Sequence, residues 1–393
     1  MRYKYFPSPP SHLLACGVLA ISAACNPVNG QTAPGPRGSG KPVLQDKIAT
    51  IAPGLAAEET AGLRVYKPEK CYNGYTLFTH DPIGNNILFS PIYLIDMRGE
   101  VKHQWMTEIP AIHARLMPDG NLFYNTTGGT LLGSTDYGLY ELDPNSNVGW
   151  HLPGDISHDF QVIDNDTFLI SEYDEGNPEI KIVTRGNKVL WTWKSVDHIG
   201  ELEELTGAKI TASRDWAHNN TAIFLGKNPL AKKDPRFKEG NIMFSFSSLD
   251  TIGIIDYPSG KIVWAWGKGM LWKQHAPEML NNGHILLFDN GELFSRVIEL
   301  DPLSGQIVWK YPPQPTESFH SGMLSNATRL PNGNTLICGG QTGRIFEVTA
   351  EGEIVWEFIS PFGRWHNSPD IYRAYRYSEE YAQPLFRAAE KIK

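Results

Sequence analysis

The stretch NGHILLFDN at residues 282–290, followed by VIELDPLSGQIVW at 297–309, carries the pattern that organises the whole chain. An Asn-Gly turn opens an apolar strand, an Asp-containing strand follows, and a Gly turn leads into a strand that closes on Trp309. Short apolar runs bounded by Asn, Gly and Pro read as strands and turns. The next segment repeats the theme as LPNGNTLI at 330–337 and IFEVTAEGEIVW at 345–356, and the preceding one closes as IIDYPSGKIVW at 254–264. Worked outward, strand-closing tryptophans stand at positions 105, 150, 191, 264, 309 and 356, with gaps of 45, 41, 73, 45 and 47. Four of these gaps have the period of four-stranded propeller blades. The long gap holds two insertions. One is a short acidic helix from Ile199 to Leu205, stopped by Gly207. The other is a Lys227–Glu239 loop whose five cations against two acids form a solvated face. Six units predict an all-β, six-bladed β-propeller over residues 64–361, with residues 362–393 as a helical or irregular C-terminal strap.

Composition agrees. The 37 Gly, 28 Pro and 11 Trp suit many short strands and turns, and 41% hydrophobic against 20% charged residues excludes a disordered chain or a coiled coil. A net charge of −8 without a basic stripe argues against a nucleic-acid partner. Arg2 and Lys4 precede an apolar run from Leu13 to Ala24, too short to span a bilayer. With small residues before Cys25 it reads as an export signal over 1–25, with Cys25 a candidate lipid attachment site. The alternatives are an earlier lipidation at Cys16 or cleavage after Gly30. The expected location is the periplasm or a lipid anchor on the cell envelope. Residues 26–63 read as a Pro/Gly-rich tether. The run GPRGSGK at 35–41 has phosphate-loop spacing, but Pro42 replaces the magnesium-holding Ser/Thr and no strand precedes it. Cys71 and Cys338 are the thiols that remain after the signal; a disulfide and two free thiols are both open.

In a propeller the first strand of each blade lines the central channel. Aligned on the turn that follows this strand, His275 lies eight residues before Gly283, His218 eight before Gly226 and His158 eight before Asp166. Three consecutive units therefore aim histidine at one region of the channel. Ile112 and Ser325 hold this register in two other units. His113, seven before Gly120, falls on the opposite strand face and is expected in blade packing. His320, in the loop feeding the sixth unit, is read either as overhanging the channel mouth, where it would contact substrate, or as a plain solvent-exposed histidine. Three converging imidazoles fit a three-His metal site, a nucleophile with flanking donors, or a structural cluster. No G-x-S-x-G elbow is present to support a serine hydrolase.

These residues also resemble the bacterial arylsulfate sulfotransferase family. The resemblance rests on Ser157-His158-Asp159, on DWAHNN at 215–220, on Gln274-His275, on FDNG at 288–291 and on GRIFEV at 343–348, and it spans roughly residues 64 to 377. It implies transfer of a sulfuryl group from an aryl sulfate to a phenolic acceptor, with no nucleotide donor and no cofactor or metal. By resemblance His275 is the nucleophile that becomes transiently sulfated, His158 and His218 bind the sulfuryl oxygens and assist proton movement, and Asn219, Asn220 and Ser247 contribute to substrate binding. One departure stands out: the family has an arginine where this chain has Ser247, and a hydroxyl offers neither its charge nor its fork. Arg214, Lys268, Lys273 and Arg296 are the nearby cations that could compensate. The alternative is a relative that uses the channel histidines for metal or ligand binding.

Overall fold

The computed structural model describes residues 61–80, 90–126, 136–174, 176–312, 314, 319–362 and 370–390. The export signal with Cys16 and Cys25, most of the tether and the glycine-rich run at 35–41 lie outside the described residues. The rest forms six antiparallel sheets, each the core of one propeller blade. Blade three shows the plan: Ile156–Val162, Thr167–Asp174, Asn177–Thr184 and Val189–Lys194 run in order from the channel outward. Blades two, four, five and six begin on the channel side with His113–Leu116, Asn219–Phe224, His275–Met279 and Asn326–Arg329.

Blade one departs from that plan. Its innermost strand is Ile371–Tyr377, paired with Tyr75–His80, while Ser90–Ile95 and Val101–Thr107 lie further out. The segment expected to strap the propeller from outside thus enters it as a strand. At the other end, Gly62–Tyr66 pairs outside Ile354–Ile359 as a fifth strand of blade six. Both ends of the propeller are therefore locked across the same seam, which leaves no open inner edge at the closure. Helix α1 (Glu379–Glu390) follows the C-terminal strand, and its Ala382 and Leu385 pack into the apolar layer of blades one and two. A Cβ on Gly120 would come within 2.7 Å of the Leu385 amide nitrogen, so this turn needs glycine for close approach as well as for its φ of 93°.

The periodic tryptophans have a mechanical reason. Each lies in the fourth strand of its blade counted from the channel, and several donate the indole N–H to a backbone carbonyl in the next blade. Trp150 donates to Arg185 (3.0 Å), Trp191 to Pro258 (3.1 Å), Trp309 to Ala350 (2.7 Å) and Trp356 to Met97 (2.8 Å). In blade one His103, beside the buried Trp105, makes the corresponding bond to Pro144 at 2.8 Å. One large side chain thus both fills the gap between blades and satisfies a turn of its neighbour.

The insertion at 199–206 is a helix (Ile199–Thr206) capped as expected, with Gly207 left-handed at φ 67° and its N–H on Glu203. The Lys227–Glu239 loop exposes Lys227, Lys232, Lys233 and Arg236 to solvent while Leu230 and Phe237 anchor it in the core. Cys71 and Cys338 are both free thiols.

Trp356→Phe keeps most of the buried ring but leaves the Met97 carbonyl unpaired at the closing seam. We expect a loss of about 1–3 kcal/mol in unfolding free energy, read by denaturant titration.

Candidate active site

At the mouth of the channel the inner strands do not run straight. Register shifts interrupt the pairing of the first two strands around His158, between Asn219 and Thr221, and between His275 and Glu278. The backbone is left-handed at His158 (φ 60°), His218 (φ 48°), Ala276 (φ 50°) and Ser325 (φ 84°), at the entries into blades three to six. Left-handed non-glycine residues each cost of order 1–3 kcal/mol and gather where a bulge re-aims a side chain. Here the bulges turn the histidines toward one another: the His158 and His218 rings are 4.6 Å apart.

The second ring nitrogen of each histidine is held by a defined partner. His275 Nδ1 lies 2.7 Å from Asn290 Oδ1 and 2.9 Å from the Lys273 carbonyl oxygen. Asn290 is itself oriented, because its Nδ2 donates to the carbonyls of Ser321 (2.7 Å) and Leu324 (3.2 Å). Facing two acceptors, Nδ1 carries the ring proton, and the Nε2 lone pair is left for chemistry. His218 Nδ1 donates to Asp215 Oδ2 at 2.5 Å. His158 Nδ1 lies 2.8 Å from the Tyr372 hydroxyl, which is also 3.2 Å from the His158 carbonyl. The hydroxyl donates to the His158 carbonyl and is placed to accept from Nδ1–H, which fixes the orientation of the ring. Among the described residues none of the three Nε2 atoms has a hydrogen-bond partner.

Burial keeps His158 and His275 neutral. Burial lowers His275 to about 3 against a pull upward from Asn290, and the charges of Arg373 and His218 push it down further. His158 lies well below its ordinary value for the same leading reason, helped by His218, His275 and Arg373. His218 is the open member, its side chain 35% exposed beside an Asp215 that is 37% exposed. Among the described residues no group of three or more His, Cys, Asp and Glu is arranged to hold a metal ion.

The other expected site residues sit differently. Asn219 is fully buried on the Ser171 hydroxyl (2.9 Å), and Asn220 is fully buried with its Nδ2 on the Gln274 carbonyl (2.8 Å). Both amides face protein rather than the channel mouth, because at the bulge they fall in the contact between blades. They act on the site by bracing the segments that carry His218 and His275. Ser247 is buried and turns its hydroxyl to the His218 carbonyl at 3.2 Å, which fixes the backbone of that histidine. His320 is exposed and makes no ring contact with the three histidines among the described residues. His113 is fully buried in the blade packing, against Phe160 and Tyr375, as its register implies. Arg296 pairs with Asp289 at 2.8 Å. Tyr372 and Arg373 were not foreseen; both come from the C-terminal strand.

Residues 172–361 match the arylsulfotransferase (ASST) family profile. The match, over just under half of the chain, supports an arylsulfotransferase family assignment. The matched span holds His218, Ser247 and His275 and ends before the C-terminal strand. It supports an arylsulfotransferase-type function in general terms, and with it small-molecule substrates. Among solved structures, a protein of unknown function from Bacteroides caccae is 15% identical with a TM-score of 0.52, covering 77% of this chain and 98% of its own, which shows a shared fold. A catalytically inactive virginiamycin B lyase from Staphylococcus aureus with quinupristin is 11% identical with a TM-score of 0.43, covering 76% of this chain and 88% of its own. No curated protein sequence matches the chain.

The buried histidines also set an acid limit on stability. His275 and His113 are each held at about 3 by burial, against 6.5 for an ordinary histidine. The unfolded chain takes up these protons as pH falls through 6.5, while the folded chain resists until about 3, so stability is full above 6.5 and drains away below it. The thermal midpoint should therefore fall steadily from about pH 7 to about pH 4. Calorimetry showing a flat midpoint over that range would contradict the buried neutral imidazoles.

Proposed function

We propose that this arylsulfotransferase moves a sulfuryl group from an aryl sulfate to a phenolic acceptor through a sulfohistidine at His275, without a nucleotide donor. The observation that carries the reading is the clamp on His275 Nδ1 by Asn290 and the Lys273 carbonyl, which leaves an unprotonated Nε2 at neutral pH. In the first half-reaction the Nε2 lone pair attacks sulfur. The N–S bond forms, the S–O bond to the aryl group breaks, and its electron pair stays on the phenolic oxygen, which takes a proton from protonated His218. Asp215 supports that imidazolium through Nδ1. In the second half-reaction neutral His218 takes the proton of the acceptor phenol, whose oxygen attacks sulfur and returns the N–S pair to Nε2. His158, oriented by Tyr372 and with its ring 4.6 Å from that of His218, flanks the place of the sulfuryl group. The export signal read at 1–25, with Cys25 as a candidate lipid attachment site, supports a reaction at the cell envelope.

A covalent intermediate makes the two substrates react in separate steps. Mixing with a chromogenic aryl sulfate in the absence of acceptor should give a burst of one phenol per protein. Steady-state rates should show ping-pong dependence on donor and acceptor. His275→Ala should abolish the burst; a burst that survives in this variant would overturn the assignment.

His218→Ala removes the proton carrier but leaves the nucleophile. We expect kcat to fall about 10²–10⁴-fold, with the smallest loss for aryl sulfates whose phenols are most acidic. An equal loss across leaving groups would contradict proton transfer by His218.

A further inference from the structure

Tyr372 and Arg373 reach the site from the last strand of the chain. Arg373 is 3% exposed and donates Nη1 to Asp159 Oδ1 at 3.1 Å in blade three. Its Nη2 donates to the Asn220 carbonyl at 2.6 Å and the Thr221 hydroxyl at 3.3 Å in blade four. Asp159 directly follows His158, and Asn220 lies two residues after His218 while its amide holds Gln274, the neighbour of His275. One guanidinium from blade one therefore ties together the segments bearing all three histidines. We propose that Arg373 is a positioning residue of this site: it locks the three histidine-bearing segments in register and sets a permanent positive charge beneath the place where an aryl sulfate anion reacts.

The inference rests on the sulfuryl-transfer reading for its substrate, but the bracing geometry stands independently. Asp159, its side chain 1% exposed, is the acid paired with Arg373 among the described residues. From blade two His113 and Arg115, from blade five Glu278, and from its own strand Tyr372 and Tyr375 complete its titratable surroundings. His275, for its part, faces His218, His158 and Arg373 across the channel mouth. Burial disfavours the guanidinium charge, yet Asp159 and the two tyrosines hold its pKa above the ordinary value, so the charge is permanent. A fixed cation near neutral imidazoles discourages their protonation and draws in a sulfate ester, two effects with the same sign for catalysis.

Two variants test this. Arg373→Lys keeps charge and loses the fork. Arg373→Met combined with Asp159→Asn removes the pair together, so that no lone buried charge remains. Each is read by the NMR titration of His275 and by kcat and KM for a chromogenic aryl sulfate. The double variant should raise the His275 titration by roughly one pH unit and KM by about tenfold. Arg373→Lys should leave the titration near that of the parent while kcat falls. A folded double variant with unchanged titration and KM would overturn the proposal. If the double variant fails to fold, Arg373→Lys decides: unchanged kcat would show that the fork braces nothing. If the parent protein releases no phenol, the sulfuryl-transfer reading fails, and the His275 titration alone still judges Arg373.

Discussion

Everything at the channel mouth depends on how the ring is closed. Ile371–Tyr377 supplies the innermost strand of a blade whose other three strands come from the opposite end of the domain, and Gly62–Tyr66 crosses the same seam on the outside. A propeller closed by one terminus alone would concentrate its weakness at one edge; two crossings share it. Closure also delivers Tyr372 to His158 and Arg373 to blades three and four, so completing the ring and completing the site are one event.

The outer rim and the channel divide two jobs. On the rim, tryptophans fill the wedges between blades and bond the next turn, which sets spacing without directing chemistry. In the channel, bulges with left-handed residues turn imidazoles toward a common point, at an energetic cost that the well-packed blades offset. The Asn290 amide then decides which nitrogen of His275 is reactive, because its own orientation is fixed by two carbonyls. Reactivity is thus set by a hydrogen-bond chain rather than by the histidine itself.

Much of this was legible in the sequence for a specific reason. A residue that recurs once per blade, such as Trp at the outer strand, marks the period, and a fixed offset from a turn marks the strand face, so His158, His218 and His275 could be aligned before any fold was seen. What escaped was non-local. The segment closing on Trp105 supplies three strands where the other blades have four, and IYRAYRY at 371–377 alternates like a strand, but nothing nearby says that the two belong together. The resemblance implies substrate contacts at Asn219 and Asn220. A bulge breaks simple alternation there, and both side chains turn into the blade contact. Ser247, read as a weak stand-in for an arginine, holds backbone instead, while a cation arrives from Arg373.

The central claim is that the sulfuryl group rests on His275 between the two half-reactions. It is tested most directly by mixing the protein with an aryl sulfate, quenching at neutral or alkaline pH to preserve the acid-labile N–S bond, and mapping the modified peptide by mass spectrometry. The account predicts one SO₃ group on His275 that disappears when a phenol is added. A group found on His158, His218 or Tyr372, or phenol release with no modified peptide at all, would contradict it.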